Sequence, residues 1–506
     1  MKELNESLLR SKQDFPGDLK FNNIKAMPEK ILQFGEGNFL RGFVDWMINA
    51  VNERELFNGR VVVVQPLEQG LSEVLNRQDG LYTLYLRGIQ AGKVVEEKNI
   101  ISSISRGINI YSQFDEYLKC AENPDLRFII SNTTEAGIAY NPNDRADDRP
   151  PVSFPGKLTV LLNKRFRYFN GDASKGFVII PCELIDRNGD NLKSIVIKLA
   201  DEWGLGKEFI RWVENANHFL NTLVDRIVTG YPRDEAEKIT EELGYKDNLL
   251  DTAEIFHLWV IEGDKRFADE LPLAHAGLNV IWTDDMAPYR TRKVRILNGA
   301  HTMTVLAAYL YGLDTVKECM DDGLISAFMK KGIFEEIIPT LDLAENELLD
   351  FAGAVTERFK NPFIKHYLLN ISLNSTSKYK TRVLPSILEY VKRKGELPKA
   401  LTFSMAALLA FYRGTEIRGN SLIGNRQAKE YEINDDLPVL ELFCKLWRDY
   451  EVSKNGSEKL VSEVLSKTDI WGADLNALPG FTLAVADYLH RIAALGIKNA
   501  LNEVLK

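Results

Sequence analysis

Four valines in succession, Val61-Val62-Val63-Val64, set between Arg60 and Gln65, constrain this chain more than any other stretch. Successive side chains on a strand point to opposite faces, so an apolar run without polar alternation is stable only where both faces are covered. That is the situation of a parallel strand inside an α/β sheet. A second short apolar segment, Lys30-Ile31-Leu32-Gln33-Phe34, comes before it and runs directly into Gly35-Glu36-Gly37-Asn38-Phe39-Leu40-Arg41 and a helical pattern through Met47 and Val51. Strand, glycine turn and helix in that order allow the backbone to approach a pyrophosphate and aim a helix N-terminus at it. Leu40 stands where the dinucleotide fingerprint has its third glycine, so the GxG by itself is a weak signal.

Further strand candidates are Leu81 to Arg87, Phe128 to Asn132, Gly176 to Pro181 and Asn279 to Thr283, with helical or loop segments between them. This alternation predicts the α/β class, with an N-terminal doubly wound Rossmann-type dinucleotide-binding domain over residues 20–285. From Met286 onward the pattern changes to long helical periodicities, which predicts a mostly α-helical C-terminal domain over residues 286–506. A length of 506 residues exceeds one ordinary core and fits two domains.

A formal net charge of -9 and the lack of any basic run argue against nucleic acid as a partner. No apolar stretch is long enough to span a bilayer, and Met1 to Pro16 is polar, so no membrane association and a cytoplasmic location are expected. Four scattered cysteines without a CxxC pair read as reduced thiols, and six scattered histidines without HExxH give a metal no support. The sequence leaves monomer and dimer open.

The chemistry is expected along Tyr289-Arg290-Thr291-Arg292-Lys293-Val294-Arg295-Ile296-Leu297-Asn298-Gly299-Ala300-His301-Thr302, which follows a proline and leads into an apolar run, as a helix start does. At about 100° per residue, Asn298 and His301 share a helix face and Lys293 falls in the same half of the wheel. An amine, an amide and an imidazole there suit acid and base catalysis, with Arg292 and Arg295 expected to push the Lys293 pKa down. The competing reading is a solvated basic face beside a buried histidine.

Other polar residues stand at strand ends. The loop Asn132-Thr133-Thr134-Glu135-Ala136-Gly137 leaves the carboxyl end of a strand, where open sheets bind ligands. Gln65 closes the valine strand where an acid usually meets the adenosine ribose, with Glu68 the nearest carboxylate, so this position does not decide between NAD and NADP. Asp225 and Arg226 lie in an apolar frame, either as an ion pair or as a substrate contact. Lys378 and Lys380 concentrate positive charge near Pro385, as an exposed basic face or an anion site.

These segments resemble the polyol-specific long-chain dehydrogenases, the mannitol dehydrogenase family, over nearly the whole chain. Lys293, Asn298 and His301 reproduce the family's catalytic signature. Gly35 to Arg41 is similar to its GxGxFxR cofactor turn, and Gln78-Asp79-Gly80-Leu81-Tyr82, Phe154-Pro155-Gly156-Lys157 and Val224-Asp225-Arg226-Ile227 match further landmarks. The resemblance implies NAD as cofactor, held by Phe34, Gly35, Gly37, Asn38, Phe39, Gln65, Asn132, Thr134 and Glu135, with no metal. It implies a small keto sugar acid as partner, tagaturonate interconverted with altronate in hexuronate breakdown, contacted by Asp225, Asn188, Lys378 and Lys380. Fructuronate, a hexitol or a hexitol phosphate are the alternative substrates, and a dinucleotide-binding sensor is the non-enzymatic alternative. Cys182-Glu183-Leu184 departs from the family's Cys-Asp-Asn, so Asn188 is the expected replacement for its oxyanion asparagine.

Overall fold

A computed structural model describes residues 1–11, 15–21, 26–134 and 136–506. The chain forms two compact units, Met1–Met286 and Ala287–Lys506. The first contains a six-stranded parallel sheet built from β1 (Glu29–Phe34), β2 (Arg60–Gln65), β3 (Ile104–Asn109), β4 (Phe128–Ser131), β5 (Val178–Pro181) and β6 (His218–Phe219). Its order is β3-β2-β1-β4-β5-β6, the doubly wound arrangement in which strand order reverses beside β1.

The valine run explains its own burial. Val61 and Val63 pack with Ile31, Phe128, Ile130 and Val178 on one face of the sheet. Val62 and Val64 pack with Leu32, Phe34, Ile129 and Ile179 on the other. All four are fully buried, each contributing about 1.5 to 3 kcal/mol of hydrophobic stabilisation.

Two of the expected strands belong elsewhere. The segment foreseen as Leu81 to Arg87 forms Tyr82–Gln90, which pairs antiparallel with Lys93–Ile101 in a separate four-stranded sheet. Val280–Thr283 runs parallel to Leu258–Glu262, which pairs antiparallel with Asn221–Asp225, in a three-stranded sheet. The β3 strand escapes a hydrophobicity scan because Ser105, Arg106 and Gly107 interrupt it at the sheet edge.

The second unit is helical apart from one antiparallel sheet, Gly414–Arg418, Ser421–Arg426 and Lys429–Ile433. Its long buried helices, Gly299–Tyr311 and Lys399–Phe411, are apolar nearly all round and form its centre.

Candidate active site

In the first unit, the carboxyl ends of β1, β2 and β4 open onto a cleft of about 460 Å³. It is lined by Gly35, Glu36 and Gly37, by Pro66 and Leu67, by Asn132 to Thr134, by Ala136, Gly137 and Ala139 to Asn141, and by Val152 to Phe154 with Lys157. Gly35 adopts φ +116, and its amide donates to Val64 O at 3.0 Å, which seats the turn beside β2. An added Cβ there would press on Asn132 O at 3.0 Å and Leu40 at 3.2 Å, so glycine is required. Gly37 is different, because a Cβ there would meet no protein atom within 4 Å. Its missing side chain leaves open the space in front of the helix that begins at Asn38, as a bound pyrophosphate needs.

The turn is fastened from beneath. Gln33 Nε2 donates to Gly35 O at 3.1 Å and to Asp45 at 3.0 Å. Arg41, 1 % exposed, donates to Glu36 O at 2.7 Å and to Asn38 Oδ1 at 2.8 Å. On the far side, Asn132 Nδ2 donates to Cys182 O at 2.9 Å, and Glu183 accepts from Ser131 and from both the amide and hydroxyl of Thr133. Burial raises the Glu183 pKa against those donors. Thr134 holds φ +77, a strained conformation for a β-branched residue and one that clusters at ligand sites.

Of the residues expected at a cofactor, Gly35, Gly37, Asn132 and Thr134 line this cleft together, while Glu135 lies outside the described residues. Phe34 does not reach it: its ring is fully buried and packs on Phe154 at 4.9 Å and Tyr117 at 5.9 Å. Phe39 stacks on Phe43 at 5.0 Å, and the Asn38 amide is engaged by Arg41. Gln65 is a correction, since both ends of its amide turn into the following loop. Nε2 donates to Leu67 O and Glu68 O, and Oε1 accepts from the amide and hydroxyl of Ser72. No capacity is left for a ribose. Leu67 and Val152, strongly exposed at the cleft, and Lys157 had no signal in periodicity alone.

Asn188 is a second correction. It is completely buried, donates to Pro181 O at 2.9 Å and Glu183 O at 3.0 Å, and accepts from the amides of Gly189 and Thr222 at 2.9 Å. It staples the end of β5 to the strand Asn221–Asp225 and presents nothing to a substrate. Asn188→Ala is therefore expected to lose about 2 to 4 kcal/mol of stability through stranded main-chain groups. Urea denaturation would measure this, and the KM of the folded fraction should not move. Asp225 ends its strand 7 % exposed and outside the cleft lining. The neighbouring Arg226 guanidinium donates to Gly42 O and Glu254 O and covers Trp46 at 4.2 Å.

In the second unit the signature residues fall on one long helical run whose middle is not α-helical. Ala287–Arg292 is α, Lys293–Asn298 is a π turn, and α geometry resumes at Gly299. The Gly299 amide donates to Val294 O, five residues back. Uniform α geometry would set Lys293 and Asn298 about 140° apart. The wider i→i+5 turn narrows that separation, and such turns recur at functional sites. Lys293 opens this turn and Asn298 closes it, both half-buried.

Arg292 is 5 % exposed and covers Phe351 at 4.5 Å and Tyr289 at 5.2 Å, while Arg295 donates to Ser386 at 2.9 Å. His301 stacks on Phe359 at 4.2 Å and meets the edge of His366 at 5.1 Å. Burial, with His366, Arg358 and Arg382 adding to it, holds the His301 pKa well below its usual value, so the ring is neutral near pH 7. Its Nε2 is buried with no hydrogen-bond partner among the described residues, a cost that a ligand hydroxyl would remove.

Gly299 admits the helix Ser375–Arg382 closely, an added Cβ standing 3.1 Å from Arg382 O. Lys378 and Arg382, four residues apart, share a face of that helix. Lys378 donates to Ile371 O at 2.9 Å, and burial together with Arg382 lowers its pKa against Asp435. Lys380 is a third correction: two residues on, it faces the other way and lies against Gly472.

The Mannitol dehydrogenase Rossmann domain model matches residues 29–275, and the Mannitol dehydrogenase C-terminal domain model matches residues 285–493. The altronate oxidoreductases of Escherichia coli strains SE11 and 55989 are each 51% identical to this chain over 491 residues, covering 97% of it and 98% of the relative. In fold, the chain is similar to D-sorbitol dehydrogenase in substrate-free form, with a TM-score of 0.78 and 21% identity over 99% of this chain and 100% of that one. It is also similar to Pseudomonas fluorescens mannitol 2-dehydrogenase, solved with NAD and D-mannitol, with a TM-score of 0.67 and 22% identity over 99% of both chains.

Proposed function

Because the chain belongs to the mannitol dehydrogenase family, we propose that it reduces the keto group of tagaturonate to altronate with NADH and catalyses the reverse oxidation. The observation that carries this reading is the π turn that runs from Lys293 to Asn298, one helical turn before His301. The relatives at 51% identity, named for altronate, support the choice of substrate.

The cleft of the first unit fits a dinucleotide: a positive-φ glycine seats the turn, an open helix start follows Gly37, and Leu67 and Val152 offer apolar surface at its rim. NADH when bound supplies the hydride. Hydride addition at the keto carbon leaves a negative charge on the former carbonyl oxygen, and a proton must reach that oxygen to complete the alcohol. Lys293 gives that proton, and in altronate oxidation its neutral amine takes it back. Asn298 donates a neutral amide hydrogen bond to the same oxygen without competing for the proton. The neutral His301 ring binds a substrate hydroxyl through Nε2. Lys378 and Arg382 hold the carboxylate end with charge-assisted hydrogen bonds.

The test is purified protein with NADH and, separately, tagaturonate, fructuronate and fructose. NADH absorbance should fall fastest with tagaturonate, with altronate as product. Faster turnover of either competitor, or no NADH consumption with any of them, would overturn the reading.

A further inference from the structure

We propose that Glu36, the residue between the two glycines of the turn, is the acid that binds the adenosine ribose hydroxyls and repels a 2′-phosphate; this deepens the NAD reading above and rests on it. Dinucleotide folds usually place that acid at the end of the second strand, which is β2 here. The structure has none there. Gln65 ends β2 with its whole amide committed to the loop from Leu67 to Ser72, and Glu68 is exposed and outside the cleft lining.

Glu36 reaches the vacant place from the neighbouring strand's turn. The Gly35 amide binds Val64 O at 3.0 Å, so residue 36 leaves the turn next to the end of β2. Its Oε1 accepts from the Leu71 amide at 3.4 Å, and Gly70 lies against both this carboxylate and the Gln65 side chain. The carboxylate therefore stands over the β2 loop, lines the cleft, and is half-buried. Burial raises its pKa, while its own and the Leu71 amide and the Arg41 charge favour ionisation. An ionised carboxylate accepts strongly from two vicinal hydroxyls and opposes a phosphate monoester, which carries nearly two negative charges at pH 7.

The cleft's lining offers a 2′-phosphate little in return. Among the described residues its one basic side chain is Lys157, 1 % exposed, with its ammonium donating to Val152 O at 2.6 Å and lying over the Tyr111 ring at 5.4 Å. Burial pushes the Lys157 pKa down to about 8, so this lysine carries its charge less firmly than a surface one.

The experiment is fluorescence titration of the full chain with NADH, NADPH and 2′-deoxy-NADH, without substrate, for wild type, Glu36→Gln and Glu36→Asp. Wild type should favour NADH over both analogues by about tenfold or more, the scale of one charge-assisted hydrogen bond. Glu36→Gln keeps size and the Leu71 contact, and should bring the NADH to NADPH affinity ratio down at least tenfold while binding NADH and 2′-deoxy-NADH nearly alike. Glu36→Asp, drawn back by one methylene, should fall between and serves if the glutamine variant fails to fold. A folded variant with the wild-type ratio overturns the Glu36 assignment alone. A wild type that binds NADPH as well as NADH overturns the cofactor reading itself.

Discussion

Lys293→Ala is expected to cut turnover by about 10² to 10⁴, the usual cost of removing a general acid, while NADH affinity stays near wild type. The cofactor turn and the lysine belong to different units of the chain, so losing the amine leaves the cleft at β1 and β2 intact. Loss of rate alone does not distinguish a proton donor from an oxyanion donor, whose removal costs about 10² to 10³. The pH profile does. Wild type should show an ionisation in kcat that Lys293→Ala lacks and Asn298→Ala retains, and small primary amines should restore part of the alanine variant's rate. A Lys293→Ala enzyme with near-normal turnover and the wild-type profile would place the proton donor elsewhere.

Lys378→Met is expected to weaken tagaturonate by about ten- to a hundredfold while changing a neutral ketose little, and Lys380→Met should treat the two alike. The two lysines are nearly adjacent in sequence and have similar chemistry, so the prediction rests on direction. Lys378 shares its face with Arg382, whose charge is felt at His301 and whose carbonyl abuts Gly299. Lys380 points to the turn after Trp471. The Lys378 ammonium gives one hydrogen to Ile371 O and has two more to offer. Partial desolvation and a neighbouring guanidinium make an incoming carboxylate more valuable there than at a solvated lysine. Equal losses for acid and neutral substrates in Lys378→Met, or a larger acid-specific loss in Lys380→Met, would sink the assignment.

The parallel sheet could be read from the valine run and the glycine turn because both report on the same requirement, a strand covered on two faces and a backbone kept open. The antiparallel strand Lys93–Ile101 was not legible, since its first half carries Lys93, Glu96 and Glu97 and only its second half is buried. The edge strand β3 was hidden by its polar residues for a similar reason. At the site, residue type pointed to Lys293, Asn298 and His301 and an ideal helical wheel put them in one half, but the π turn between the first two was not legible, because no simple periodicity announces one. Gln65 and Asn188 were misread for one shared reason. A polar side chain at a strand end looks available in sequence, and whether its hydrogen bonds are spent on nearby backbone is settled only in three dimensions. Glu36 was the converse case, a plain glutamate between two glycines whose reach toward the next strand no local pattern reveals.

The fastening of the cofactor turn by Gln33 and Arg41 bears on how fast a ligand can be captured. Each of these side chains is buried and bonds the turn from within the chain itself, so the shape of residues 35 to 38 is held by the protein's own hydrogen bonds. A preformed cradle has little conformational freedom left to surrender on association. Capture by this turn should then proceed as a single encounter, its observed rate rising in proportion to dinucleotide concentration, without the plateau of a loop that must first find its fold.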